Sequence, residues 1–145
     1  MKKRFIALIL TFAIVISFLP KISITFAEDI DGINASSYIN IITAALSSKG
    51  ISGKLTVTFQ VTATHSMNSV GVLEIIVRNN NGMPINLISG STSNGLLNTG
   101  TWIHSGSYTL NLTSGNMYYC TVVAIARDAN GYDTRKITTQ HVTCP

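Results

Sequence analysis

Between residues 54 and 64 apolar and polar positions alternate without a break. Leu55, Val57, Phe59, Val61 and Ala63 take one side; Lys54, Thr56, Thr58, Gln60, Thr62 and Thr64 take the other. Successive side chains of a strand point to opposite faces, so this pattern predicts a strand with one face on a core and one in water. The same period recurs at Tyr108, Leu110 and Leu112, and again at Tyr118, Cys120, Val122 and Ala124. Thr113-Ser114-Gly115 lies between these two segments as a turn signal. The connection is too long for a tight hairpin and predicts a crossing between two packed sheets. In residues 70–78, Leu73, Ile75 and Val77 face one way, with Val72, Glu74, Ile76 and Arg78 opposite.

Turn chemistry divides the rest. Asn79-Asn80-Asn81-Gly82 predicts a hairpin, because Asn and Gly tolerate the positive φ of tight turns. Residues 83–89 return from it, with Pro84 marking an edge strand. Asp128-Ala129-Asn130-Gly131 predicts a second hairpin between strands at 117–126 and about 134–142. Residues 38–46 read as a first strand, although Ile39, Ile41 and Ile42 lack clean alternation and a short helix is an alternative. Residues 89–100 read as a long polar loop, with the next strand at about 107–112. The sum is all-β: a single sandwich of about seven antiparallel strands over residues 36–145.

The first residues decide the compartment. Met1-Lys2-Lys3-Arg4 is a basic start, residues 5–19 are apolar apart from Thr11 and Ser17, and Thr25-Phe26-Ala27 places small residues at a cleavage site. That layout predicts a secretory signal peptide at 1–27, followed by a flexible lead-in at 28–35. The apolar run is short of the roughly 18–20 residues of a spanning helix, so no stable membrane anchor is expected after cleavage. The chain carries 10 Lys and Arg against 6 Asp and Glu. Cleavage removes Lys2, Lys3, Arg4 and Lys21 and leaves every acid, bringing the net charge near zero. Nucleic acid is thereby excluded as a partner, since phosphate binding needs a cationic footprint. Two cysteines in an exported chain predict one disulfide, Cys120 to Cys144, with a contribution of about 3 kcal/mol in the chain-entropy model. A hairpin at Asn130-Gly131 would put Cys120 opposite His141, so the bridge requires the tail to bend back or bulge.

Leu112, Gly115, Tyr118, Cys120, Val122 and Ala124 follow a fibronectin type III pattern, with Ser114 where proline is usual. A Tyr two residues before a Cys also resembles the immunoglobulin tyrosine corner. The resemblance implies an immunoglobulin/fibronectin type III-like sandwich in which Tyr118, not Tyr119, sends its hydroxyl back to upstream backbone. Two departures stand out: Val57 and Phe59 occupy the strand that would bear the first immunoglobulin Cys, and Trp102 comes too late for the usual core tryptophan. Taken whole, residues 36–144 resemble small secreted immunoglobulin-like proteins of Gram-positive bacteria with no assigned activity. That likeness supplies no site residues.

Candidate chemistry is sparse. Asp128, Asn130 and Asp133 present three oxygens from one turn, as do Asp29 and Asp31 near Gly32 more weakly, but calcium wants six to eight. His65, His104 and His141 show no paired metal-ligand spacing. His65-Ser66 and His104-Ser105 are neighbours without a third group to orient a base. No cofactor, metal or catalytic residue is therefore expected, and the chain reads as no enzyme. Leu96, Leu97 and Trp102 either cap the core or form an exposed loop tip, the best candidate for binding. The sequence points to a binding or adhesion module for an extracellular protein or glycan. Its rivals are a self-associating structural protein and a secreted toxin or antimicrobial factor. Assembly state is left open.

Overall fold

The computed structural model describes residues 38–145; the expected signal peptide and lead-in lie outside them. All of the regular structure described is strand: β1 (Ile39–Ser47), β2 (Lys54–Met67), β3 (Ser69–Asn79), β4 (Pro84–Ser89), β5 (Leu97–Asn98), β6 (Thr101–Asn111), β7 (Met117–Arg127), β8 (Tyr132–Thr138) and β9 (Val142–Thr143). They make two antiparallel sheets. One has the order β1-β2-β6; the other has the order β4-β3-β7-β8, with β5 beside β3 and β9 beside β7. Residues 112–116 carry the chain from the first sheet to the second, the crossing that the turn signal before Tyr118 predicts.

The core lies between the sheets. Leu55, Val57, Phe59, Val61 and Ala63 of β2 are all buried, as the alternation requires, and meet Val72, Ile75, Val77, Cys120, Val122 and Ala124 of the other sheet. Two bulges explain where alternation misleads. Between Ile39 and Ile41 the β1–β2 register slips by one, so Ile39 before the slip and Ile42, Ala44 and Leu46 after it face β2's core side. A bulge inserts a residue and reverses the phase of everything beyond it. This segment is a strand, not a helix. A second slip between Val72 and Glu74 puts Val72 in the core, where the pattern had Leu73; Leu73 is only half-buried.

β6 begins at Thr101, well before the expected start near 107. From Ile103 onward it pairs β2 in one register, and Thr101 pairs Met67 beyond a shift. The inward positions of its first half are His104 and Gly106, so the apolar signal is missing. Phe59 fills the space instead: its ring lies 5.4 Å from that of His104, edge-on, and a Cβ at Gly106 would come within 2.9 Å of it. The expected last strand is split into β8 and β9. At the break, the Thr139 hydroxyl accepts the Cys120 amide and Thr139 N donates to Cys120 O.

Candidate binding surfaces

The predicted loop tip is packed inward. Leu96 is fully buried in the core, and its carbonyl accepts the Val72 amide, so it presents nothing to a ligand. Leu97 is half-buried opposite Gly71. Asn94 organises the segment: its Oδ1 accepts the amides of Ser91 and Leu96, and its Nδ2 donates to Ser89 O. Two glycines let the backbone come this close. A Cβ at Gly71 would overlap the Leu96 carbonyl, and one at Gly90 would overlap that of Val72.

Of the three residues only Trp102 stands clear, 55 % exposed on β6 beside Ile103 at 37 %. Ile103 lies opposite Thr62, and Thr62 lies opposite Ile41, which is 54 % exposed. Three strands thus place Ile41, Thr62 and Ile103 in one row across the outer face of the smaller sheet. The rows beyond are Thr43–Gln60–Ser105, Ala45–Thr58–Ser107 and Ser47–Thr56–Thr109. No charged side chain occurs in these four rows. Thr56 and Thr62 are buried among their neighbours, and the face offers the remaining hydroxyls and the Gln60 amide, closed at one end by an apolar strip. Sequence spacing could not find this strip, because Ile41 and Ile103 are brought together only by register on β2.

At the opposite end of the molecule Tyr118 is buried, and its hydroxyl donates to the Thr113 carbonyl at 3.3 Å. Beside it is a cleft of about 460 Å³, edged by Asn79, Asn80, Asn81, Asn116, Thr113 and Ile85. The Asn79 side chain is committed to its own turn, accepting the amides of Asn81 and Met83. Asn80 Oδ1 meets His141 Nδ1 at 3.2 Å, and the His141 ring stacks on Tyr119. The cleft can hydrogen-bond neutral polar groups but holds no nucleophile or base.

The expected disulfide is absent: Cys120 and Cys144 are both buried free thiols. Register gives the reason. Met117 pairs Thr143, and Cys144 N donates to Asn116 O, so Cys144 lies opposite Asn116, four positions along β7 from Cys120. At strand rise that is about 13 Å, against the roughly 7 Å beyond which two cysteines cannot bridge. Burial also pushes the Cys120 thiol up to about 12, which keeps it protonated and unreactive at neutral pH.

One group of titratable side chains does come together. His65 Nε2 lies 3.1 Å from Asp128 Oδ2, and its Nδ1 lies 3.0 Å from the Thr64 hydroxyl. The sequence nominated no third group for His65, since Asp128 is 63 residues away. His65 is exposed, and Asp128 is half-buried beside it. Asp128 is also bound by the backbone N–H groups of Asn130 and Gly131 through Oδ1. Those bonds, first that from Asn130, hold its carboxyl below the ordinary range. The pair acts as a tie between β2 and the β7–β8 turn, and Tyr38 packs edge-on against the imidazole. Asp133 turns elsewhere, accepting the Ile39 amide at 3.2 Å, so the oxygens of this turn do not converge. Among the described residues no cluster of three or more His, Cys, Asp or Glu side chains is arranged to hold a metal.

No family model matches this chain, and neither a curated protein nor a solved structure matches it.

Proposed function

We propose that this chain is a secreted, non-catalytic binding or adhesion module on an immunoglobulin/fibronectin type III-like sandwich, acting on an extracellular protein or glycan. The strand order supports the fold reading. Taking β1, β2, β3, β4, β6, β7 and β8 as A, B, C, C′, E, F and G, strands A, B and E share one sheet and C′, C, F and G the other. Immunoglobulin-type domains divide their strands this way, with C′ extending the C–F–G sheet. Tyr118 holding the Thr113 carbonyl suits the tyrosine corner of the same fold.

The observation that carries the binding reading is the uncharged outer face of the smaller sheet. Ile41 and Ile103 stand exposed at the end of rows bearing only hydroxyls, an amide and small apolar groups, and Trp102, next along β6, is exposed at the same end of the sheet. Two aliphatic anchors on a rigid face, with an exposed aromatic at its end, lose little conformational entropy on contact, and neutral hydroxyls suit the equally neutral hydroxyls of a saccharide or a peptide backbone.

The test is retention of the purified protein on a panel of insoluble polysaccharides, cell-wall sacculi and immobilised extracellular proteins. Trp102→Ala and Ile103→Ser are run beside it. A ligand held by the wild type and released by both variants supports the reading. Equal retention of all three forms, or none on any surface, counts against it.

A further inference from the structure

Four strands end the two sheets: β1, β6, β4 and β8. An edge strand exposes a row of N–H and C=O groups, and folded proteins block such rows with charge, proline or covering side chains. Two of these edges are blocked and a third is pinned at its ends. β8 carries Asp133, Arg135 and Lys136. β4 is short and starts at Pro84, and its outward Leu87 amide is taken by the Asn86 side chain. β1 is tied at both ends, its Ile39 amide to the Asp133 carboxylate and its Leu46 carbonyl to the Gln140 amide.

β6 has none of these guards. Its 11 residues contain no charged residue and no proline. The ladder shows which groups face outward. Leu112 N donates to Gly53 O, so in the regular register Leu110, Tyr108, Gly106 and His104 bond to β2. In an antiparallel pair the intervening residues turn their N–H and C=O the other way. Those residues are Ile103, Ser105, Ser107, Thr109 and Asn111. Ile103 agrees with this phase, because the Thr101 hydroxyl takes both its amide and its carbonyl. Ser105, Ser107 and Thr109 have no such cover, and no backbone bond beyond the β2 ladder reaches them among the described residues.

We infer that two copies of this chain pair through β6, antiparallel about a two-fold axis at Ser107. Ser107 then faces its own copy, and Ser105 of each chain faces Thr109 of the other. Each outward N–H meets an outward C=O, giving six backbone hydrogen bonds and joining two three-stranded sheets into one of six strands. The occupant is a second copy because the row is its own complement: three evenly spaced residues, read backwards, meet donor with acceptor. No charge lies on the strand to repel its twin. The contact is isologous and closes at two copies, so it does not grow into a filament. This inference does not rest on the proposed ligand binding; it would set two uncharged faces side by side.

The experiment is analytical ultracentrifugation of the purified protein over a dilution series, with amide hydrogen exchange. Ser107 is exposed and its side chain makes no bond among the described residues, so its substitution spares the fold, checked by unchanged circular dichroism. The wild type is expected to be dimeric, with the Ser105, Ser107 and Thr109 amides losing protection on dilution. Ser107→Lys and Ser107→Glu each set like charges opposite one another and weaken the dimer by about a hundred-fold. Mixing the two variants restores it. A wild type that stays monomeric overturns the inference, and protection of the three amides in that monomer would give the edge to another segment of the same chain. A dimer untouched by Ser107→Lys, or variants that fail to pair on mixing, overturns it as well.

Discussion

The two ends of the sandwich are closed by different chemistry. At the Tyr118 end the ties are mostly backbone to backbone: Gly53 N to Pro145 O, Leu112 N to Gly53 O, Gly115 N to Cys144 O and Cys144 N to Asn116 O. Side-chain bonds add to them: Tyr118 to Thr113 O, Ser52 to Ser114, and Asn80 to His141. At the other end the ties run through ionisable side chains: Asp128 to His65, and Asp133 to Ile39 N and Arg135. Backbone closure is set by the path of the chain and does not titrate. Side-chain closure depends on a few residues and on pH. The same all-β frame thus has one end pinned chiefly by the backbone of its C-terminal tail and one pinned chiefly by two carboxylates.

The largest expected effect comes from breaking the backbone-closed end. Deleting Cys144 and Pro145 removes three of its hydrogen bonds and a buried thiol, at a cost of about 3–4 kcal/mol. Chemical denaturation would read it, and a loss below about 1 kcal/mol would show that the tail is dispensable. Next in size, Tyr118→Phe removes the hydroxyl while keeping the ring, and is expected to cost about 1 kcal/mol, independent of pH between neutral and mildly acid conditions. A cost that varied with pH there would mean the corner is coupled to the ionisable end.

The smallest effect concerns that other end and has a definite sign. Asp128 is held below its ordinary value of 3.8, chiefly by the Asn130 amide, so its carboxylate stabilises the folded state above that value. That contribution is lost as pH falls through the lower folded value. Hydrogen exchange in acid should therefore release the Asn130 and Gly131 amides while Gly53 and Gly115 stay protected. Asp128→Asn should remove the acid step. Simultaneous release at both ends would erase the distinction between them.

Much of the candidate surface was out of reach of sequence reading, for identifiable reasons. Trp102 could be singled out as an anchor, but Leu96 could not be told from a loop tip, because the fold that buries it depends on Gly71 and Gly90 admitting its backbone. His65 and Asp128 lie on different strands, and no spacing rule relates them. The open edge of β6 was hidden because its first half carries His104 and Gly106 where a strand would show apolar residues.

What the sequence determined by itself was class and face. Alternation at residues 54–64 and the two-residue period from Tyr118 to Ala124 predict strands, and the burial of Tyr118 rather than Tyr119 follows from that period, although β7 beyond Val122 is buried on both faces. Only the tertiary structure decided phase and register. Single-residue bulges near Asn40 and Leu73 reverse which side faces the core, and the β7–β9 pairing sets Cys144 too far from Cys120 to bridge. Alternation is a local property of the backbone, whereas a one-residue slip is chosen by what the partner strand offers for burial.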